Sequence, residues 1–75
     1  MGMLIDIKKT SEDDTKAFYS LSTPEGDIGE LSINKKTGDI QSDNEEKKGL
    51  VIRAGIKLVQ HWRKGEFPDI TYWAS

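Results

Sequence analysis

A chain of 75 residues, 35% hydrophobic and 32% charged, has room for one small domain with a thin core. It contains no cysteine and a single histidine, which excludes disulfides, thiolate metal sites and histidine-rich metal centres. The net charge of −2 is unevenly spread: residues 1–46 carry eleven acids against five bases, or −6, and residues 47–75 two acids against six bases, or +4.

The first expected element is a strand over Met3–Lys9, where Ile5 and Ile7 alternate with polar residues. The polar run Thr10–Thr15 reads as a loop. A second strand follows over Lys16–Ser22, with Ala17, Tyr19 and Leu21 on one face and Phe18, Ser20 and Ser22 on the other. Thr23-Pro24-Glu25-Gly26-Asp27 reads as a turn, because proline pre-sets φ and glycine accepts the positive φ that closes a hairpin. The third strand spans Ile28–Asn34, the loop Lys35–Gly38 reverses the chain, and a short fourth strand covers Asp39–Ser42.

Asp43 or Asn44 suits a helix N-cap, with Glu45 and Glu46 favoured by the dipole of the first turn. The helix is expected from about Glu45 to Lys64, stopped by Gly65 with Pro68 just beyond. At 100° per residue, Val51, Ile52, Gly55, Ile56, Leu58, Val59 and Trp62 form one broad apolar stripe, with Arg53, Lys57, Gln60 and Lys64 opposite. Gly55 in mid-stripe predicts close approach to the sheet, against an aromatic ring. Glu66–Ser75 is either a last strand or an extended tail whose Phe67, Ile70 and Trp73 fold back on the core. The whole is expected to be a single α+β domain over 1–75, a roughly four-stranded antiparallel meander covered by one long helix with a short C-terminal extended segment.

The stretch SINKKTGDIQSDN contains Ser-x-x-Lys, Lys-Thr-Gly and Ser-Asp-Asn, the signatures of penicillin-recognising serine enzymes. That chemistry needs Ser and Lys on one helical turn and the other two motifs converging from distant parts of a fold. Here Ser32 lies in a strand, Lys35 in a turn, and all three patterns within thirteen residues, so no active site is expected. LSINKKTGDI also resembles the hairpin of PepSY-type domains, in which an Asp/Asn-x-x-Thr-Gly turn joins two strands. Those domains place a helix before the hairpin, whereas this chain has its helix after it, so the resemblance extends to the hairpin alone.

Glu12-Asp13-Asp14 lacks the ligand spacing of a calcium loop and reads as solvated. His61 borders the apolar stripe, and sequence spacing offers it neither a nucleophile nor an orienting acid, so a structural role is expected. No catalytic residue, cofactor or metal is expected. Arg53, Lys57 and Lys64 on the basic helix face, with the terminal pair Tyr72 and Trp73, form the expected interaction surface. The chain thus reads as a small non-enzymatic protein-interaction domain, of inhibitor, immunity or adaptor type, with an unidentified protein partner. A homodimer through edge-strand pairing is a further expected mode. The alternative is a nucleic-acid-binding or regulatory module using the basic helix face, which the acidic balance and the lack of a nucleic-acid motif weigh against. With no signal peptide or membrane span in the pattern, the expected location is cytoplasmic.

Overall fold

A computed structural model describes residues 4–42 and 47–74. Five strands form one antiparallel sheet: β1 (Leu4–Glu12), β2 (Lys16–Thr23), β3 (Gly26–Asn34), β4 (Ile40–Ser42) and β5 (Ile70–Ala74). The single helix among the described residues, α1 (Lys48–Arg63), lies between β4 and β5 in the chain. In the sheet the order is β4-β3-β2-β1-β5, so β1 to β4 form a meander and β5 returns beside β1 at the far edge. The α+β architecture is the expected one, with five strands where the sequence pattern suggested four. The additional strand is the C-terminal segment, whose Ile5–Trp73 and Ile7–Thr71 pairings make it part of the sheet.

One face of the sheet carries the core. Ile5 and Ile7 from β1, Ala17, Tyr19 and Leu21 from β2, and Leu31 and Ile33 from β3 are almost fully buried, as the period of two requires. Ile28 is buried too, although three positions before Leu31 it should face the other way. A bulge explains it. Leu21 pairs with Gly29 and Ser22 with Asp27, so Ile28 is an extra residue that resets the phase, and Gly29 takes φ +145° there.

A second bulge, at Thr10, lets β1 run three residues beyond its expected end at Lys9. It turns Glu12 onto the face that already carries Lys9. The polar turn after it is held by Asp13, whose Oδ1 accepts hydrogen bonds from the Thr15 and Lys16 amides, both at 2.7 Å. At the β3–β4 turn Asn34 Oδ1 accepts from the Lys36 and Thr37 amides and Gly38 takes φ +78°, as the sequence leads one to expect.

The helix begins at Lys48, three residues later than expected, with Lys47 at its N-cap and no acidic residue in its first turn. The expected caps Asp43 and Asn44, with Glu45 and Glu46, lie outside the described residues. Its end is as anticipated: Gly65 takes φ +73° and donates to the Trp62 carbonyl, while the Glu66 amide donates to His61 O, a Schellman closure.

Val51, Ala54, Gly55 and Leu58 are the buried residues of α1, with Leu50, Val59 and Trp62 packed beside them. Gly55 does meet the sheet closely, but its neighbour is Ile40 rather than an aromatic ring. A Cβ at 55 would stand 3.4 Å from Ile40 Cγ1, an ordinary contact. Gly55→Ala is therefore expected to raise stability by up to about 1 kcal/mol through helix propensity, whereas Gly55→Leu should lower it by forcing β4 outward. Urea midpoints of the two variants check this, and a destabilised alanine variant would contradict the contact geometry.

Candidate functional site

The apolar stripe of α1 is wider than the sheet beneath it can cover. Ile52 and Ile56, both expected in the core, are 53% and 51% exposed. The helix sits on β3, β1 and β5, with the Val51–Ala54–Gly55–Leu58 line facing down. That rotation leaves the neighbouring line, Ile52 and Ile56, on the flank that looks toward β4. Since β4 is only three residues long and closes the sheet on that side, nothing among the described residues lies under the flank.

The result is an open cleft of about 930 Å³ between α1 and β4. Ile40 and Ser42 form its strand wall, Ile52, Gly55, Ile56 and Val59 its helix wall, and Lys48 and Arg63 stand at the two ends. Among the described residues, no acidic side chain lines the cleft. Large apolar side chains half exposed in a concave groove stand out on the surface of so small a domain.

The expected interaction residues lie on the other side of the helix. Arg53 places its guanidinium 5.7 Å from the centre of the Trp73 ring and donates to the Gly49 carbonyl at 3.1 Å. Lys57 lies 5.9 Å from the Tyr72 ring. The fold thus brings four of the five expected residues together as two cation–π pairs that clasp β5 to the helix. Lys64 stands apart at the helix C-cap. Tyr72 is 58% exposed, whereas Trp73 is partly buried against the core. Ile70, expected to fold back on the core, is the most exposed of the large apolar side chains among the described residues and lies on the uncovered face of the sheet.

His61 gains from the fold what sequence spacing withholds. The Schellman turn brings Glu66 back so that Oε1 lies 3.1 Å from His61 Nδ1, and Thr71 Oγ1 of β5 lies 3.1 Å from Nε2. A carboxylate, an imidazole and a hydroxyl in line are the order of a hydrolytic triad. Thr71, however, is only 9% exposed, and the cleft is not lined by any of the three. The chain of hydrogen bonds joins the end of α1 to β5.

The serine-enzyme look-alike disperses in the fold. Ser32 is a β3 residue paired with Phe18 and Gln41 on the face away from the core. Lys35 turns to Glu12, with its Nζ 2.7 Å from Oε2, and sits 5.3 Å from the Phe67 ring. Lys9 approaches the other Glu12 oxygen at 2.6 Å and Asp69 at 3.3 Å. The acidic run is thus an ion-pair and turn element, and among the described residues no three acidic or histidine side chains converge on a metal position.

Lys35 and, next, Lys9 hold the Glu12 carboxyl down at about 2, from an ordinary 4.5. A depressed carboxylate stabilises the fold above its unfolded value and loses that contribution as pH falls through the folded one. Glu12→Gln is therefore expected to lose less stability than the wild type between pH 4.5 and about 2. Urea midpoints at several pH values in that window read the difference, and parallel acid limbs would refute it.

No protein-family model, curated protein or solved structure matches this chain. Among the described residues, no helix is long and apolar enough to cross a membrane.

Proposed function

We propose that the protein is a small non-enzymatic protein-interaction domain, in the manner of an inhibitor, immunity-type or adaptor protein, and that its docking surface is the cleft between α1 and β4. The observation that carries this reading is the half-exposure of Ile52 and Ile56, one helical turn apart, in a concave site. In a domain of this size, two exposed isoleucines on one flank are a costly feature unless something covers them. The Arg53–Trp73 and Lys57–Tyr72 pairs serve the docking of β5, which leaves the opposite flank for recognition.

Ile52→Glu and Ile56→Glu test it. Both positions are on a helix surface, and glutamate is a good helix former, so stability should change by no more than about 1 kcal/mol. Capture of the native partner from cell extract should fall at least tenfold for either variant, while Arg53→Glu leaves capture unchanged. Partner capture insensitive to both isoleucine variants would reject the cleft. The nucleic-acid alternative makes the reverse forecast: retention of random DNA or RNA at about 50 mM salt, falling steeply as salt rises and abolished by charge reversal at Arg53 and Lys57.

A further inference from the structure

β5 forms the edge of the sheet away from the cleft and pairs with β1 alone, in a continuous register from Leu4–Ala74 to Lys8–Ile70. One step further on, the Lys9 amide donates to Asp69 O, so Asp69, Thr71 and Trp73 turn their peptide groups toward β1. The alternate residues Ile70 and Tyr72 therefore point theirs outward, and among the described residues no group hydrogen-bonds to them there. Natural edges are guarded by lysine, proline, a bulge or a covering element. The strand Ile-Thr-Tyr-Trp-Ala holds no charge, no proline and no bulge. Its Ile70 and Tyr72 side chains are 70% and 58% exposed.

We infer that β5 pairs with β5 of a second copy of this chain, antiparallel about a two-fold axis at Thr71, to make one sheet of ten strands, five from each copy. The outward peptide groups limit the choice of register, because bonds through them set Ile70, Tyr72 and their even-numbered neighbours opposite one another. An axis at Thr71 sets Ile70 against Tyr72 of the second copy, twice, as an aliphatic–aromatic pair on the open face of the sheet. An axis at Ile70 would set Tyr72 against Pro68, which has no N–H to give. An axis at Tyr72 would set Ile70 against the small Ala74.

Charge complementarity favours the same register and names the second copy as occupant. With the axis at Thr71, Asp69 falls opposite Trp73 of the second copy, in a pair that exchanges no hydrogen bonds and so brings its side chains closest. Both residues belong to the side of β5 that faces α1, two and four positions apart in one alternation with Thr71 and each other. Trp73 carries the Arg53 guanidinium 5.7 Å from its ring centre. The Asp69 side chain is 90% exposed, with Lys9 Nζ 3.3 Å away. Each copy thus offers one carboxylate and one guanidinium at matching heights, and the two-fold axis makes the ion pair twice. β4 lies at the other edge of each sheet, so this pairing leaves the cleft untouched and does not depend on it.

Sedimentation equilibrium of the intact chain, from micromolar to millimolar concentration, is expected to show a monomer–dimer equilibrium. Ile70→Lys places a natural edge guard at an exposed position and should raise the dimer Kd at least about tenfold, with the urea midpoint of the dilute monomer unchanged. Asp69→Arg and Arg53→Glu should each weaken the dimer, and the double variant should recover it, because the swapped charges meet again across the axis. In the wild type, dimer formation should slow amide exchange at Ile70 and Tyr72 more than at Thr71, whose N–H already bonds to β1. A monomer at millimolar concentration, or a dimer that Ile70→Lys leaves intact, would overturn the pairing of β5. A dimer lost in Ile70→Lys without protection of the two amides would make the open sheet faces the contact and overturn strand pairing. Failure of the double variant to recover would overturn the axis at Thr71. Protection of those amides only in the presence of a captured foreign protein would make that protein the occupant and overturn self-pairing.

Discussion

Gly38→Ala is expected to destabilise the protein by about 2–5 kcal/mol, from two costs that act at one atom. The residue adopts φ +78°, where an L side chain costs about 1–2 kcal/mol. Its Cβ would also stand 2.8 Å from Trp62 Cε3 and 2.9 Å from Cζ3, closer than packed carbons approach. The ring has little freedom to retreat, because Trp62 Nε1 donates to the Lys35 carbonyl at 2.8 Å, within the same turn. Overpacking of this kind costs about 1–3 kcal/mol. For 75 residues, at about 0.05–0.15 kcal/mol per residue, the total stability is about 4–11 kcal/mol, so the loss is a large fraction of it. Urea unfolding followed by tryptophan fluorescence reads the shift. The double variant Gly38→Ala/Trp62→Ala separates the parts: on the Trp62→Ala background only the backbone cost should remain. A Gly38→Ala variant within about 0.5 kcal/mol of wild type would show that the turn and the ring are not coupled.

This coupling reaches the proposed docking surface. The β3–β4 turn fixes where β4 begins, Trp62 ties that turn to the last helical turn, and Arg63 at the end of the cleft is the next residue. A loosened turn would separate the two walls of the cleft before it disturbed the centre of the sheet.

The sequence pattern makes the strands and the helix legible because each presents a clean period: two for Ala17, Tyr19 and Leu21, and 3.6 for Val51, Gly55, Leu58 and Trp62. What it hides is phase and coverage. The bulges at Thr10 and Ile28 each insert one residue, which reverses the facing of everything beyond and is invisible to a two-residue alternation. The Gly at 29 is the one local hint of the second bulge.

The helix stripe includes Ile52 and Ile56 because both are apolar at helical spacing, yet which part of a stripe meets the sheet depends on how far the sheet extends. Among the described residues a three-residue β4 leaves that flank uncovered, and the length of β4 is a property of pairing with β3, not of its own letters. The site residues follow the same rule. The cations at 53 and 57 read as a free face until β5 returns beside β1 and sets Trp73 and Tyr72 next to them. His61 acquires Glu66 and Thr71 only through the Schellman turn and that same return.

Tyr19→Ala is expected to cost about 3–5 kcal/mol, enough to leave the chain close to its unfolding midpoint. Tyr19 is fully buried on the central strand, so truncation removes a large share of a thin core and leaves a cavity with one helix to close it. Tyr19→Phe isolates a different contribution. The hydroxyl donates to the Pro68 carbonyl at 3.0 Å and ties the middle of the sheet to the segment between α1 and β5. Losing that hydrogen bond should cost about 0.5–1.5 kcal/mol.

The same segment is held by Lys9, whose amide donates to Asp69 O at 2.8 Å, and by His61 through Thr71. Tyr19→Phe should accordingly speed amide exchange in Thr71–Trp73 more than in β2 and β3, because β5 is the strand those tethers dock. The cleft lies at the opposite edge of the sheet, bounded by β4, so the phenylalanine variant should capture a cleft-bound partner as well as the wild type does. If β5 protection and partner capture fell together, the two edges would be one cooperative unit, and β5 docking would then control the proposed docking surface through the helix that joins them.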